Sequence, residues 1–182
     1  MRSVAIQGNI GCGKSSLLRQ LAKVQYADSP NTAIVQAPVD EWQGWLELYY
    51  SRLARGSPDL PALQIQLQVL ASLHRRFKEL PLSTALAIFE RSPMSSRQLF
   101  VARMVEKGEL SEMDRKLYDE IFAHMGWAAD LDVYIRCSPE TCLRRIQQRA
   151  RSGENTITLE YLRELHDKHE TIYGRTAAVV LD

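Results

Sequence analysis

The sequence predicts an α/β fold in which a five-stranded parallel sheet is covered by helices on both faces. Short apolar, β-rich segments alternate along the chain with longer segments of helical periodicity. A glycine-rich loop follows the first short segment, and no repeat or long linker divides the 182 residues. The chain is therefore expected to form one domain that spans residues 1–182.

The expected strands are the apolar runs between the helical segments. They are Val4–Gln7, Ala33–Gln36, Ala85–Phe89, Leu131–Arg136 and Ala177–Leu181. The expected helices follow from apolar residues three or four apart and from start signals such as Ser138–Glu140, a serine followed by proline and an acid. They are Gly13–Val24, Asp40–Ala54, Leu60–Leu80, Pro93–Lys107, Glu112–Met125, Pro139–Ala150 and Leu159–Ile172.

The composition limits the classes of partner. The net charge is +1, so no strongly basic field favours nucleic acid or a membrane surface. No apolar run approaches the roughly 20 residues of a membrane helix. The three cysteines are odd in number and lack metal-ligand spacing, which is typical of reduced thiols. Because a strand pattern begins near the N-terminus, we expect a cytoplasmic protein without a signal or transit peptide.

A phosphate-binding loop is indicated by GNIGCGKSS, which matches G-x-x-x-x-G-K-[ST] between a predicted strand and a predicted helix. Its backbone N–H groups and the helix N-terminus suit phosphate oxygens. Lys14 would contact the β- and γ-phosphates of ATP, and Ser15 would bind Mg²⁺. The residues expected to bind ATP are Gly8, Asn9, Ile10, Gly11, Cys12, Gly13, Lys14, Ser15 and Ser16. The sheet is thus expected to be of the P-loop NTPase type.

The length favours a small-molecule kinase. A regulatory GTPase would carry an N-K-x-D motif, which the sequence lacks, and a motor or helicase would need a longer chain. Glu90-Arg91 ends the third predicted strand, where parallel sheets face their ligands. Arg145, Arg149 and Arg151 form either a solvated basic face or an arginine-rich lid over the transferred phosphate, at about residues 144–155.

These segments resemble the deoxyribonucleoside kinase family, particularly its mitochondrial thymidine kinase and insect broad-specificity branch. The segments in the family's order are GNIGCGKSS, PVDEW, LELYY, ERSPMSSRQLFV, SPETCLRRIQQRARSGE and YLRELHDKHE. They span nearly the whole chain, and its short loops are similar to those of compact viral thymidine kinases. The resemblance implies ATP-dependent 5′-phosphorylation of a deoxynucleoside with Mg²⁺, and a homodimer formed through Leu60–Leu80 and Pro93–Lys107.

The resemblance also implies roles for particular residues. Arg91 would orient the 5′-hydroxyl, and Glu90 would hold Mg²⁺ together with Ser15. Tyr50 and Glu154 would bind the 3′-hydroxyl of the sugar. The residues expected around the base are Trp42, Gln64, Ser96, Arg97 and Phe100.

The base is expected to be read by Gln64, because an amide can pair with the N3–C4 edge of thymine or, flipped, of cytosine. A slip in register would bring Gln66 or Gln68 to the base instead. The deoxycytidine and purine branch carries a charged Arg–Asp pair near the base, where this chain has Ala71 and Ser96. Uncharged residues leave room for a 5-methyl group and favour thymidine, with broad specificity as the alternative.

The family's catalytic base is missing. In relatives a glutamate followed by Pro-Val accepts the proton of the 5′-hydroxyl, whereas this chain has Ala37 there. Three explanations are open: an engineered Glu-to-Ala change, a kinase in which Asp40 or Glu90 acts as base, or a relative that binds substrates but barely turns over. Asp40 is expected to be only a helix N-terminal acid. A thymidylate-type monophosphate kinase and a non-catalytic nucleotide-binding protein are the other candidate functions.

Overall fold

The computed structural model describes residues 1–25, 31–174 and 179–182. Within these ranges, one fully parallel sheet has the strand order β2-β3-β1-β4-β5. The strands are β1 (Arg2–Gly8), β2 (Thr32–Val35), β3 (Leu86–Glu90), β4 (Leu131–Ile135) and β5 (Val179–Leu181). The predicted five-stranded parallel sheet is confirmed. The first two residues of the predicted last strand, 177 and 178, lie outside the described residues.

Helices surround this sheet in the expected alternation. They are α1 (Lys14–Gln25), α2 (Val39–Ala54), α3 (Ala62–Lys78), α4 (Pro93–Ser96), α5 (Ala102–Glu106), α6 (Glu112–Met125), α7 (Pro139–Arg149) and α8 (Leu159–Tyr173). One difference from prediction lies at 93–107, where a π-helical segment, Arg97–Val101, joins α4 to α5. A π segment changes which side chains face the core, and such segments are frequent at functional sites.

The long helices α2 and α3 form because each presents one apolar face to the core. In α3 the buried residues Ile65, Val69 and Leu73 recur every four positions. Each such side chain contributes about 1.5–3 kcal/mol when it leaves water. The leucine-rich face expected to mediate dimerisation is therefore part of the chain's own core. No helix in the described ranges is long and apolar enough to cross a membrane.

The order of the strands brings three chain segments to one edge of the sheet. β1 lies between β3 and β4, and Ile6 is opposite Glu90 in the parallel register. The loop after β1 therefore lies beside Glu90-Arg91. The segment after β2 lies at the same edge, because β2 pairs with β3 in parallel. In such sheets, ligands usually bind in a crevice at the carboxyl ends of the strands, at the point where the strand order reverses.

The start of α7 allows a direct test of the helix signals in the sequence. Ser138 is the N-cap, and its hydroxyl oxygen accepts the Thr141 backbone N–H at 3.3 Å. We expect Ser138→Ala to lower the free energy of unfolding by about 0.5–2 kcal/mol, because an N–H of the first turn loses its partner. Urea denaturation followed by circular dichroism measures this change.

The matched control is Ser51→Ala within α2, where the hydroxyl donates to the Leu48 carbonyl of its own helix. That change should alter stability by less than about 0.5 kcal/mol. Equal losses in both variants would contradict the capping role of Ser138.

Candidate active site

A cavity of about 720 Å³ lies at the carboxyl edge of the sheet. Its walls come from the loop after β1, from α2 and α3, from the segment after β3, and from the connection between α7 and α8. The residues predicted as site residues that line it are Ile10, Gly11, Cys12, Gly13, Lys14, Ser15, Ser16, Ala37, Trp42, Tyr50, Glu90, Arg91, Ser96, Phe100, Arg145, Arg149, Arg151 and Glu154. The structure thus brings together segments that are far apart in sequence.

The loop after β1 has the backbone of a phosphate cradle. Gly8 and Gly11 have φ values of 144° and 81°, in a region that favours glycine. A Cβ at Gly8 would lie 2.6 Å from Cys12 Sγ, and one at Gly11 would lie 2.6 Å from the Cys142 carbonyl oxygen. The loop ends at the N-terminus of α1, which begins at Lys14. Its glycines are therefore required both by conformation and by close packing.

Lys14 is a buried cation held by this loop. Its Nζ donates to the carbonyl oxygens of Asn9 at 2.8 Å and Gly8 at 3.1 Å, two predicted site residues that do not themselves line the cavity. Burial and the neighbouring charge of Arg91 lower the pKa of Lys14 below its usual range. A bound polyanion would favour the charged ammonium, so the environment of Lys14 suits a phosphate chain.

Ser15 and Glu90 both line the cavity and are hydrogen-bonded to each other. The Ser15 hydroxyl donates to Glu90 Oε1 at 2.8 Å, and the Glu90 side chain is buried. A hydroxyl and a carboxylate beside a phosphate site are the hard oxygen ligands that Mg²⁺ prefers, with substrate phosphates completing its shell. The residues present therefore fit this ion.

Arg91 projects a second buried cation into the cavity. Its φ of 68° lies in the left-handed region, which costs a non-glycine residue about 1–3 kcal/mol. The guanidinium donates through Nη2 to the Gly8 carbonyl oxygen at 2.8 Å and lies 5.0 Å from the centre of the Phe100 ring. Its Nη1 is buried without a partner among the described residues. Buried donors usually have partners, so this atom marks a place where an acceptor oxygen of a ligand would fit.

Part of the cavity lining is neutral and partly aromatic. Trp42 is held there by a 2.8 Å hydrogen bond from its Nε1 to Ser72 Oγ. Gln66 Oε1 and Ser96 Oγ are buried and, within the described part of the chain, have no hydrogen-bond partner. Buried polar atoms usually have partners, so these two atoms mark the wall that would contact a polar ligand.

Gln64 and Ala71, which were expected near the base, do not line the cavity. Gln64 is exposed and outside the cavity, whereas Gln66 on the buried side of α3 lines it. Ala71 is also on the exposed face of α3. The sequence contained a signal that predicts burial of Gln66. It lies four residues before the apolar Leu70 and therefore on the same face of the helix.

Arg97 was also expected around the base, but it does not line the cavity. Its Nε donates to Asp119 Oδ1 at 2.8 Å, and its guanidinium lies 5.2 Å from the centre of the Phe122 ring. These contacts direct Arg97 toward α6, away from the residues that line the cavity. The π-helical segment turns Phe100, and not Arg97, to the cavity.

Three tyrosines form one side of the cavity, and two of them were missed by sequence reasoning. Tyr50 contacts Tyr49 edge to face, with ring centres 5.3 Å apart, and Tyr161 in the same way at 5.9 Å. Burial raises the pKa of Tyr161 to about 12, so its hydroxyl stays neutral near physiological pH. We call Tyr49, Tyr50 and Tyr161 the tyrosine wall. Glu154, which is also buried, lines the same cavity.

The arginines of the predicted lid region lie at the cavity mouth. Arg145 donates through Nη1 to the Cys12 carbonyl oxygen at 2.8 Å, while Arg149 and Arg151 pair with Glu154. The chain turns here at Gly153, where a Cβ would lie 2.6 Å from Glu47 Cγ of α2. Close packing against α2 therefore requires the glycine at this turn.

The end of β2 contributes no carboxylate to the cavity. Ala37 lines it, whereas Asp40 is exposed in the first turn of α2 and lies outside it. Among the described residues that line the cavity, the carboxylates are Glu90 and Glu154, and both accept hydrogen bonds from protein groups.

Comparison with known proteins agrees with this geometry. The family model for deoxynucleoside kinases matches residues 4–181. Human mitochondrial thymidine kinase 2 is 31% identical over 92% of this chain, which spans 62% of the human protein. Chicken deoxycytidine kinase 2 is 31% identical, with 98% of this chain and 77% of the relative covered. The thymidine kinase of Ictalurid herpesvirus 1 is 32% identical, with 91% and 71% covered. The chain therefore belongs to the deoxynucleoside kinase family.

Proposed function

We propose that the chain transfers the γ-phosphoryl group of ATP to the 5′-hydroxyl of a pyrimidine deoxynucleoside, most readily thymidine, in nucleotide salvage. The observation that carries this proposal is one cavity with two kinds of lining. The loop that carries Lys14 lines the same cavity as Gln66 and Ser96, whose buried oxygens have no hydrogen-bond partner among the described residues. The three cysteines are unpaired, which supports a reducing compartment such as the cytoplasm.

At the ATP end, the loop amides and Lys14 bind the phosphates. Ser15 and Glu90 hold Mg²⁺, which when bound neutralises charge on the phosphate oxygens. Arg145 and Arg149 add positive charge at the mouth of the cavity. Phosphoryl transfer depends mainly on positioning and charge stabilisation, and these residues supply both.

At the acceptor end, Arg91 Nη1 donates to the 5′-oxygen or to the incoming phosphoryl group. Tyr50 and Glu154 bind the 3′-hydroxyl of the sugar. Gln66 pairs with the N3–C4 edge of the base, because its amide offers both a donor and an acceptor. These roles are supported by the burial of all four side chains on one cavity.

The preference for thymidine is supported by uncharged residues near the base. Ser96 lines the cavity without a charge, and Val69 adds an apolar surface beside Gln66. Ala71 no longer contributes to this argument because it is exposed. Relatives named as thymidine kinases and as a deoxycytidine kinase match the chain almost equally well, which keeps deoxycytidine as a second pyrimidine substrate.

A low rate of turnover is part of the proposal, because the cavity lacks a carboxylate at Ala37. We expect Ala37→Glu to raise kcat for thymidine about 10²–10⁴-fold, the usual contribution of general-base catalysis. The Kd values for ATP and thymidine should change little, because neither depends on that proton transfer. Steady-state kinetics and calorimetry on both proteins measure the two effects.

The control for the missing base is Asp40→Asn, which should leave turnover unchanged because Asp40 is exposed outside the cavity. If Asp40→Asn abolishes turnover while Ala37→Glu has no effect, Asp40 is the base and the proposal for position 37 is wrong. Rapid phosphorylation of thymidine monophosphate, with none of thymidine, would instead support a monophosphate kinase.

The role of Gln66 has a matched control on the same helix. Gln66→Leu should weaken thymidine binding about tenfold or more, since each hydrogen bond lost contributes roughly 0.5–1.5 kcal/mol. The Kd of ATP should be unaffected. Gln64→Leu, on the exposed face of α3, should change neither Kd. Loss of thymidine affinity in Gln64→Leu alone would restore Gln64 as the residue that reads the base.

A homodimer is also proposed, on the resemblance and on an exposed apolar pair. Met113 and Leu117 of α6 are 72% and 44% exposed, whereas Ile65, Val69, Leu70 and Leu73 of α3 are buried. We expect sedimentation velocity to detect a species of twice the 20.8 kDa chain mass, and Leu117→Lys to shift it toward monomer. A single monomeric species at all concentrations would rule out the dimer.

A further inference from the structure

The chain buries an arginine that the proposed reaction does not use. Arg103 of α5 is only 5% exposed and does not line the main cavity. Its Nη1 donates to Glu109 Oε1 at 2.7 Å and its Nε to Glu164 Oε2 at 2.8 Å. The Glu109 side chain is as buried as that of Arg103. Desolvating such a pair costs free energy that its attraction often only partly returns, so burial of the pair is weak evidence for a stabilising role.

Arg103 contacts the back of the tyrosine wall at two points. Its guanidinium carbon lies 4.5 Å from the centre of the Tyr161 ring, in cation–π geometry. The Tyr49 hydroxyl donates to Glu109 Oε2 at 2.6 Å and accepts from Arg103 Nη1 at 3.4 Å. The same ion pair thus holds the ring of Tyr161 and the hydroxyl of Tyr49.

Tyr50 stands between these two restrained rings. It contacts both Tyr49 and Tyr161 edge to face, so its position depends on theirs. The wall also has space behind it, because a second cavity of about 250 Å³ is lined by Tyr50, Tyr161 and Arg103. Two rings of the wall could relax into this space if the cation did not restrain them.

The charges around Arg103 are balanced. Lys107 Nζ pairs with Glu164 Oε1, so two cations face two carboxylates. Replacing Arg103 alone would leave Glu109 buried without a cation, whereas Glu164 would keep Lys107. Replacing both Arg103 and Glu109 by apolar residues would leave no unpaired charge, and such replacements are often neutral or stabilising.

We propose that Arg103 is a positioning residue for nucleoside binding. It holds Tyr161 and Tyr49, and through them Tyr50, at the distance from Glu154 that a sugar 3′-hydroxyl requires. This inference rests on the proposed function, because it assigns the tyrosine wall to the acceptor nucleoside. Arg103 itself touches no substrate, and its effect is transmitted through side-chain packing and not through charge at the reaction centre.

The test is calorimetric binding of thymidine, 3′-deoxythymidine and ATP, which needs no turnover. The variants are Arg103→Met and the double change Arg103→Met with Glu109→Met. We expect the Kd of thymidine to rise about 10- to 100-fold in both variants, because even a small misplacement of positioning groups can have an effect of this size. The Kd of 3′-deoxythymidine should rise less, so discrimination for the 3′-hydroxyl falls. The Kd of ATP should stay unchanged.

The chain offers a matched control in Arg136→Met. Arg136 pairs with Glu170 at 2.9 Å, lies 6.0 Å from the centre of the Tyr134 ring, and shares Glu170 with the Tyr134 hydroxyl. It therefore repeats the Arg–Glu–Tyr arrangement, yet none of these residues lines the main cavity. Thymidine binding by Arg136→Met should equal that of the parent chain.

Each other outcome overturns the inference. If the double variant melts cooperatively and binds thymidine as the parent does, Arg103 has only a structural role. Equal losses for thymidine, 3′-deoxythymidine and ATP would indicate general damage instead of positioning. The double variant keeps the test valid if Arg103→Met alone fails to fold. If the parent chain itself binds ATP but no deoxynucleoside, the proposed function fails first, and the assignment of Arg103 fails with it.

Discussion

Two buried cations share one backbone oxygen at the centre of this molecule. Lys14 Nζ and Arg91 Nη2 both donate to the Gly8 carbonyl, at 3.1 and 2.8 Å. Burial lowers the pKa of each group, and the charge of Arg91 lowers the pKa of Lys14 further. A phosphate chain beside them would offset these penalties. Both residues belong to segments with left-handed backbone, at the glycines of the loop and at Arg91 itself.

The rest of the cavity lining contains both charged and neutral groups. The charged groups include Glu90, which accepts from Ser15, and the arginines at the end of α7. The neutral groups include aromatic rings and the unpartnered oxygens of Gln66 and Ser96. Under the proposed function, the charged groups would bind the phosphates of ATP and the neutral groups would bind the base and the sugar. One chain can thereby orient two substrates of different polarity toward a common point.

Under the proposed function, substrate binding and proton transfer depend on different residues. The cavity retains its phosphate loop, its neutral end and its tyrosine wall although Ala37 supplies no carboxylate. Positioning of the reacting groups depends on many side chains, whereas acceptance of the hydroxyl proton depends on one. If Arg103 positions the tyrosine wall as we propose, its ion pair with Glu109 belongs to the first group of functions.

The sequence by itself determined the parallel sheet, the phosphate loop and the bounds of most helices. These features follow from short-range rules: glycine spacing, capping residues and apolar periodicity act within a few residues. The placement of Gln66, Arg97 and Arg103 was decided only by the tertiary structure. Arg97 meets Asp119 and Arg103 meets Glu164, partners 22 and 61 residues away. The face of a helix that meets a cavity, and the charge that meets a buried arginine, depend on packing between distant segments, which local sequence patterns do not encode.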